Sequence, residues 1–306
     1  MDARYAAARR AELYGLLGKL PDRNGPVSCR VRSEEERDGL HIEYLVLDTG
    51  CGEGVPAVFT KPAGMGGPLP AVLYAHSHGG FYSHGKRELL EGQIYMQRPG
   101  YAWDLARRGI AALCPDAWCF GERSSRTEGE TFRSMLWHGK TLWGAMVFDH
   151  LKALDYLTSR PDVDEDRVAS LGMSMGSTQA WYLAALDERI RSCAEICCLT
   201  DFDALEARGS LEEHGVYYYL PGLLEHFTTA EICALIAPRP HLAVAGERDV
   251  LTPPEGLDRI DRELRDVYGE MGAEDSWRLL RYDTTHFETP EMRREILRFL
   301  EETLKA

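Results

Sequence analysis

A serine between two glycines, in the segment Gly172-Met173-Ser174-Met175-Gly176, is the feature of the sequence that most directly indicates chemistry. A serine nucleophile must project from a sharp strand-to-helix turn, whose crowded backbone requires glycine on both sides. The apolar run before it, residues 168–171, is typical of a buried strand, and the residues after it favour a helix. The sequence therefore predicts Ser174 as the nucleophile of an acyl transfer, with the Met175 N–H directed at the developing oxyanion.

A serine hydroxyl is a weak nucleophile, so this interpretation requires a histidine base and an acid, in the chain order serine, acid, histidine. Asp249 follows the strand-like residues 240–246, and His286 follows the strand-like residues 276–282. The carboxyl ends of parallel strands lie at one edge of a sheet, where such folds gather their active sites. We therefore expect Asp249 and His286 to complete a triad. Only the geometry of the acid is constrained, so three other acids stay open: Glu247, Asp201 and Asp203.

A second backbone donor for the oxyanion is expected in the loop that follows a buried strand near residues 70–76. There the sequence reads His78-Gly79-Gly80-Phe81, and its glycines allow the backbone to approach a substrate closely. We expect the donor to be the N–H of Gly80 or of Phe81, and the sequence does not choose between them.

Strand and helix patterns alternate along the chain, which predicts an α/β fold with a mostly parallel central sheet of about eight strands and helices on both faces. We expect an N-terminal helical extension and linker over residues 1–39 and one catalytic domain over residues 40–306. The predicted strands lie near residues 40–48, 54–60, 70–76, 109–114, 167–172, 191–198, 240–246 and 276–282. The predicted helices cover residues 3–19, 101–108, 140–158, 178–186, 257–268 and 291–303.

Over roughly residues 40–304, these features resemble the α/β-hydrolase superfamily. Within it, the chain resembles the serine-dependent branch of the dienelactone-hydrolase-like and acetyl-xylan-esterase-like enzymes. The resemblance rests on the serine turn, on His76-Ser77-His78-Gly79-Gly80, and on residues 115–123 and 236–240. It implies an α/β-hydrolase fold and a carboxylesterase that cleaves a small or sugar-linked ester through an acyl-enzyme. Dienelactone hydrolases carry a cysteine nucleophile where this chain has Ser174, which favours ordinary carboxylic esters.

Two aromatic-rich segments, near residues 118–138 and 205–228, exceed the minimal fold and are expected to form the substrate pocket, since loops at this edge carry specificity. Arg123 and Arg126 fit either a substrate carboxylate or an ion pair with Glu122 or Glu128. The candidate pocket residues are His78, Tyr82, Trp118, Trp137 and Tyr218.

Three alternative functions use parts of the same sequence. A peptidase or amidase would apply the same triad to an amide. A metal-dependent hydrolase could use His76 and His78, which project to one side of an extended strand, but no acidic ligand is adjacent and Ser174 would be left unexplained. A non-catalytic binding protein would have no need of the strained serine turn. We therefore expect a serine mechanism without a metal or other cofactor.

Composition narrows the choice of binding partners and of the cellular compartment in which the protein acts. The formal net charge of −14 argues against a nucleic-acid partner, and no run of eighteen apolar residues favours a membrane. We expect a cytoplasmic enzyme acting on a small-molecule ester, because the N-terminus lacks an apolar leader. The eight cysteines lie largely in apolar runs, which predicts buried free thiols. The N-terminal helix could cover its own core or pack on a second subunit of a homodimer, and the sequence leaves this open.

Overall fold

The eight strands expected from the sequence all occur, and they form one sheet with a ninth strand at its edge. The computed structural model describes residues 2–305. In space the strands follow the order β1-β2-β3-β5-β4-β6-β7-β8-β9. Their bounds are β1 Ser28–Arg37, β2 Leu40–Asp48, β3 Val55–Pro62, β4 Leu69–Ala75, β5 Ala111–Pro115, β6 Val163–Met173, β7 Ile190–Ile196, β8 His241–Gly246 and β9 Trp277–Tyr282.

The six strands β5-β4-β6-β7-β8-β9 run parallel, whereas β1, β2 and β3 pair antiparallel with one another and β3 pairs antiparallel with β5. The carboxyl ends of the parallel strands therefore lie along one edge. That edge is where an open α/β sheet can assemble side chains from several loops.

Successive side chains of the central strands enter two different cores, as the two-residue period of a strand requires. On β4, Leu73 packs into a core on one face of the sheet and Val72 into a core on the other. Helices thus cover both faces, which confirms the expected α/β class. Their bounds are α1 Ala3–Leu16, α2 Glu88–Glu91, α3 Tyr101–Ala106, α4 Glu128–Trp137, α5 Leu142–Ser159, α6 Met175–Leu186, α7 Phe202–Ala207, α8 Leu223–His226, α9 Thr229–Ala234, α10 Pro254–Glu270 and α11 Pro290–Leu304.

The first forty residues differ from the expectation of an extension and linker. Helix α1 is present, but β1 follows it and pairs with β2 along its whole length, so the expected boundary at residues 39 and 40 falls inside a β-hairpin. Leu13 and Leu17 are fully buried in the core that contains α5 and α6. The N-terminal helix therefore covers the core of its own chain.

The two aromatic-rich segments contain short helices. The first includes a 3₁₀ turn at Gly121–Arg123 and helix α4, and the second includes 3₁₀ turns at Leu211–Glu213 and Val216–Tyr218 and helix α8. All eight cysteines lie in the described range and are free thiols; seven are buried and Cys29 is half-buried. Within residues 2–305 no helix is both long and apolar enough to cross a membrane.

Candidate active site

Ser174 occupies a strained turn between β6 and α6. Its φ of 59° and ψ of −121° are unusual for a residue with a side chain. Its N–H donates to the carbonyl oxygens of Ile196 and Cys197, each at 3.0 Å, which ties the turn to the end of β7. The serine is 7% exposed. The surrounding backbone therefore holds the Ser174 side chain at the edge of the sheet where the carboxyl ends of the parallel strands lie.

The glycines on either side of Ser174 permit a close backbone approach. A Cβ on Gly172 would overlap the carbonyl oxygen of Gly176, and a Cβ on Gly176 would overlap the carbonyl oxygen of Ala75 at the end of β4. The start of α6 thus sits directly on β4. This contact brings the Met175 N–H, at the first position of the helix, towards the loop that follows β4.

Asp249 and His286 meet at the same edge, although 37 residues separate them in the chain. The Nδ1–H of His286 donates to Asp249 Oδ2 at 2.7 Å. Asp249 is 2% exposed, and its Oδ1 accepts the N–H of Leu251 at 3.0 Å, so the carboxylate is held on both oxygens. Gly246 lets the loop of His286 come close, because a Cβ there would overlap the carbonyl oxygen of Thr285.

The three alternative acids do not contact His286. Glu247 is exposed, Asp201 caps α7 through the N–H of Ala204 and pairs with Arg259, and Asp203 lies on α7 itself. The geometry therefore brings Asp249, and not its rivals, to the histidine.

His286 Nε2 has no hydrogen-bond partner within the described residues, and Ser174 Oγ makes no hydrogen bond to it there. Such contacts are often loose in a protein without substrate. The Cys198 thiol lies beside the Ser174 side chain. The Cys197 thiol lies near the acid and base, with ligand atoms of all three within 4.8 Å of one another. Burial raises the pKa of both thiols, which keeps them neutral beside the triad.

The loop after β4 does not present the N–H groups of Gly80 and Phe81 as expected. The Gly80 N–H donates to His78 Nδ1 at 3.1 Å, and the Phe81 N–H donates to the carbonyl oxygen of His78 at 3.0 Å. Both hydrogen bonds close the glycine turn itself. Between residues 76 and 81, all of which are described, the N–H groups of His76, His78 and Gly79 have no acceptor outside the strand ladder, and those of His78 and Gly79 are the two that belong to the glycine turn.

The buried carboxyl group of Glu88 holds the loop that follows β4. Glu88 is 1% exposed and accepts the N–H of Ser77 at 3.0 Å and the hydroxyl of Tyr74 at 2.9 Å. The Ser77 hydroxyl also bonds to it. Burial raises the pKa of Glu88 to about 7 despite these hydrogen bonds.

His78 and Tyr82 form a wall with three residues that the sequence did not identify: Phe120, Glu128 and Tyr217. Glu128 accepts from His78 Nε2 at 2.8 Å and from the Tyr82 hydroxyl at 2.9 Å. The His78 ring stacks on Tyr217 at 5.5 Å and meets Phe120 edge-on at 5.0 Å between ring centroids. Burial would raise the pKa of Glu128, but the bonds from His78 and Tyr82 outweigh it and lower that pKa.

Tyr217 fixes this wall to the interior of the protein. It is 3% exposed, and its ring lies 5.6 Å from the Trp143 ring and 5.2 Å from the Tyr218 ring, between centroids. His214, earlier in the same segment, donates from Nε2 to the carbonyl oxygen of Leu251 at 2.9 Å, next to the Asp249 carboxylate. The segment 205–228 therefore contacts both the wall and the acid loop.

Three expected pocket residues lie elsewhere. Trp137 is 91% exposed at the end of α4 and can shield no substrate. Tyr218 is 5% exposed, with Phe202 and Tyr219 stacked against it at 5.3 and 4.9 Å. Trp118 lines a separate cavity whose walls include none of the triad residues. Their aromatic character marked them for a pocket, but neighbouring helices determine what they contact.

The arginines of the first segment pair with neither expected glutamate, Glu122 nor Glu128. Arg123 is buried, and its Nη1 donates to Asp149 Oδ2 at 2.8 Å. Arg126 is exposed and has no acidic partner in the described part of the chain.

The histidine pair considered for a metal is already hydrogen-bonded. His76 donates from Nδ1 to the carbonyl oxygen of Ser77 and accepts the Ala117 N–H at Nε2, at 2.9 and 3.0 Å. His78 uses both nitrogens, towards Gly80 and Glu128. Neither ring keeps a lone pair open for a cation, so the residues present do not fit a His76/His78 metal site.

Comparisons with known proteins agree with this architecture. The family model described as acetyl xylan esterase (AXE1) matches residues 33–214, a range that includes the serine turn and ends before Asp249. A Bacillus subtilis (strain 168) protein, YtaP, described only as a hydrolase, is 47% identical over 298 residues, which cover 97% of this chain and 99% of that protein. Its match therefore extends across the acid and histidine segments.

Solved structures share the fold at low sequence identity. A glucuronoyl esterase from Solibacter usitatus superposes with a TM-score of 0.73 at 17% identity, covering 99% of this chain and 94% of that chain. An acetyl xylan esterase from Paenibacillus sp. R4 gives a TM-score of 0.61 at 17% identity, covering 98% and 93%.

Proposed function

Because the chain belongs to the acetyl xylan esterase family, we propose that it is a serine carboxylesterase that removes a small acyl group from a sugar-linked alcohol. The observation that carries the proposal is the convergence of Ser174, Asp249 and His286 after β6, β8 and β9. A strained serine and a carboxylate-bound histidine share one edge of the sheet.

The first chemical step is attack by Ser174 Oγ on the ester carbonyl. His286 Nε2 accepts the hydroxyl proton, since its other nitrogen is committed to Asp249 as a donor. Asp249 thereby holds the imidazole in the required tautomer and stabilises the imidazolium that forms. The protonated Nε2 then donates to the departing alcohol oxygen, and the acyl group remains on Ser174. Water attacks the acyl-enzyme by the same route and releases the acid.

The oxyanion of each tetrahedral intermediate is stabilised by backbone donors. Met175 contributes one, because its N–H is free at the start of α6 and the helix dipole favours negative charge there. The second comes from His78 or Gly79, whose N–H groups remain open while those of Gly80 and Phe81 close the turn. Glu88 supports this arrangement by holding the preceding residue, Ser77.

The surroundings of Ser174 favour a small acyl group and a sugar-like alcohol. The thiol of Cys198 lies beside the Ser174 side chain, and Ser174 is only 7% exposed, which restricts the room for an acyl group. The loop after β4 exposes Phe81 and Tyr82, at 41% and 39%, and such rings can stack against a sugar face. The related acetyl xylan and glucuronoyl esterases are named for sugar-linked esters, which agrees with this assignment.

The test is covalent labelling with a fluorophosphonate, followed by intact mass spectrometry and peptide mapping. We expect one adduct, on Ser174, in the wild-type chain and none in Ser174→Ala. The exposed serine variant Ser125→Ala is the matched control and should label as the wild type does. Labelling elsewhere, or none on folded protein, would overturn the serine mechanism.

Substrate class is tested with acetylated xylo-oligosaccharides, a p-nitrophenyl ester of a longer acyl chain and a matched acetamide. We expect release of acetate from the sugar ester at the highest kcat/KM and no measurable amide cleavage. Faster hydrolysis of the amide would instead assign the triad to the amidase alternative.

A further inference from the structure

The cavity that Trp118 lines has a volume of about 230 Å³ and lies between the end of α1, the β5–α4 loop and helix α4. None of the triad residues lines it, so a molecule held there is not the ester being cleaved. Its floor is buried and its mouth is exposed. The cavity therefore has the form of a binding site for a small molecule from solvent.

The mouth of this cavity is positively charged on a chain whose formal net charge is −14. Lys19, Arg126 and Lys140 are exposed lining residues, and none makes a side-chain ion pair or hydrogen bond in the described range. Glu53 is the acidic residue among the walls. His138 adds a further imidazole donor. A cleft with an excess of one charge concentrates ions of the opposite sign.

Arg123 lies in the floor of the cavity, and some of its guanidinium N–H groups are not used by its contacts. Its side chain is 1% exposed and is fixed by Asp149, by the carbonyl oxygen of Asp116 at 3.2 Å and by the Trp118 ring, 4.2 Å from the guanidinium carbon. These contacts use Nη1 and the planar face. Nε and Nη2 are buried and have no hydrogen-bond partner among the described residues. Unpaired buried donors on a charged group cost free energy, which an oxyanion that reaches them would recover through hydrogen bonds.

We infer that this cavity binds a small oxyanion, a carboxylate or a phosphate, with Arg123 as the fixed anchor and Arg126 and Lys140 as the cationic rim. Both ligand types offer the paired oxygens that a guanidinium recognises. The inference does not depend on the proposed hydrolysis, because the site has its own walls.

The experiment is isothermal titration calorimetry at constant ionic strength, with inorganic phosphate, acetate and citrate as separate probes. It is performed on the wild-type chain and on Ser174→Ala, so that loss of esterase activity and loss of anion binding are read independently. We expect saturable one-site binding of at least one probe, with the same affinity in both proteins. Preference for phosphate or for a carboxylate identifies the source of the oxyanion.

Two rim variants and one matched control locate the site. Arg126→Gln and Lys140→Gln should each weaken binding about tenfold. Arg133→Gln makes the same charge change on exposed α4, outside the cavity lining, and should leave the affinity within about twofold. Arg123→Lys keeps the positive charge but loses the paired N–H donors of the guanidinium group, and it should also weaken binding. Absence of saturable binding by all three probes, or equal weakening in Arg133→Gln, would overturn the inference.

Discussion

Two histidine–carboxylate pairs lie at the same edge of the sheet, and they use opposite ring nitrogens. His286 binds Asp249 through Nδ1 at 2.7 Å and leaves Nε2 without a partner within the described residues. His78 binds Glu128 through Nε2 at 2.8 Å, and its Nδ1 accepts the Gly80 N–H at 3.1 Å. The first ring can therefore accept a proton from a neighbour, and the second has no lone pair left for one.

A carboxylate beside a histidine is therefore not enough to make a general base. The base needs a free nitrogen and a nucleophile next to it. The His78 pair instead closes a glycine turn and braces an aromatic wall, which makes it a positioning pair. Substitutions of Ser174, Asp249, Glu88 and Glu128 test this division of roles.

Ser174→Ala removes the hydroxyl group from which His286, and not His78, can accept a proton. We expect kcat/KM for an acetyl ester to fall by about four to six orders of magnitude, with an unchanged far-ultraviolet circular dichroism spectrum and unfolding midpoint. Steady-state kinetics and thermal denaturation provide the measurement. Activity within a few fold of wild type would remove the reason for distinguishing the two pairs.

Asp249→Asn should lower kcat by about four orders of magnitude, because an amide can stabilise the wrong tautomer of His286 and cannot balance the imidazolium charge. The readout is kcat together with its pH profile. A mild loss would indicate that Asp201, Asp203 or Glu247 supplies the acid during turnover.

Glu88→Gln tests a carboxyl group that braces the same loop without a histidine partner. Burial raises the pKa of Glu88 from 4.5 to about 7, so the folded protein retains a proton that the unfolded chain has already released. The stabilisation from this group is complete below pH 4.5 and is lost as pH rises through about 7. Over that interval the free energy of unfolding of the wild type should fall by about 3 kcal/mol more than that of the variant.

Urea denaturation of both proteins at several pH values from 4 to about 8 measures this difference. Glu128→Gln is the control, because the pKa of Glu128 is lowered and its stabilisation is lost towards acid pH instead. Parallel stability curves for Glu88→Gln and wild type would show that Glu88 does not titrate in this range.

Glu128→Gln should have the smallest effect on catalysis. The variant keeps an acceptor for His78 or Tyr82 but loses the charge, so we expect kcat/KM to fall about tenfold, equivalent to one hydrogen bond of about 1.4 kcal/mol. The loss should appear mainly in KM. A loss in kcat as large as that of Asp249→Asn would place the His78 pair in the chemical steps.

Most of the sheet could be predicted because its inner strands, such as β3, β4, β5, β7 and β8, are apolar runs that are almost fully buried. β1 could not, because its residues, such as Arg30, Arg32 and Glu34, are charged and the strand is exposed at the edge of the sheet. Nothing in such a pattern distinguishes a strand from a linker. Charged residues also suit this position, since they discourage pairing with another sheet.

Chain order indicated Ser174 and His286, since each follows a recognisable strand, but it left Glu247, Asp201 and Asp203 open beside Asp249, and the hydrogen bond to His286 is what distinguishes Asp249. His78, Tyr82 and the two aromatic-rich segments were expected at the pocket, but the bond from His78 to Glu128 could not be predicted, because Glu128 lies 50 residues from His78 and its pattern signals only a helix start after Thr127. The oxyanion loop shows a related limit. Glycines indicate where backbone approaches a substrate, but not which N–H groups the turn uses for itself.

The docking of α1 has a consequence for how the chain acquires its structure during synthesis. Arg10 Nε donates to the carbonyl oxygen of Ala185, and its Nη2 donates to that of Leu235, residues that lie 175 and 225 positions later. At ribosomal rates of about 5–20 residues per second, the first of these acceptors emerges roughly ten to forty seconds after the helix. An isolated helix of this length is marginal in water. Helix α1 therefore leaves the ribosome before the residues that hold it and is among the last elements to reach its final position.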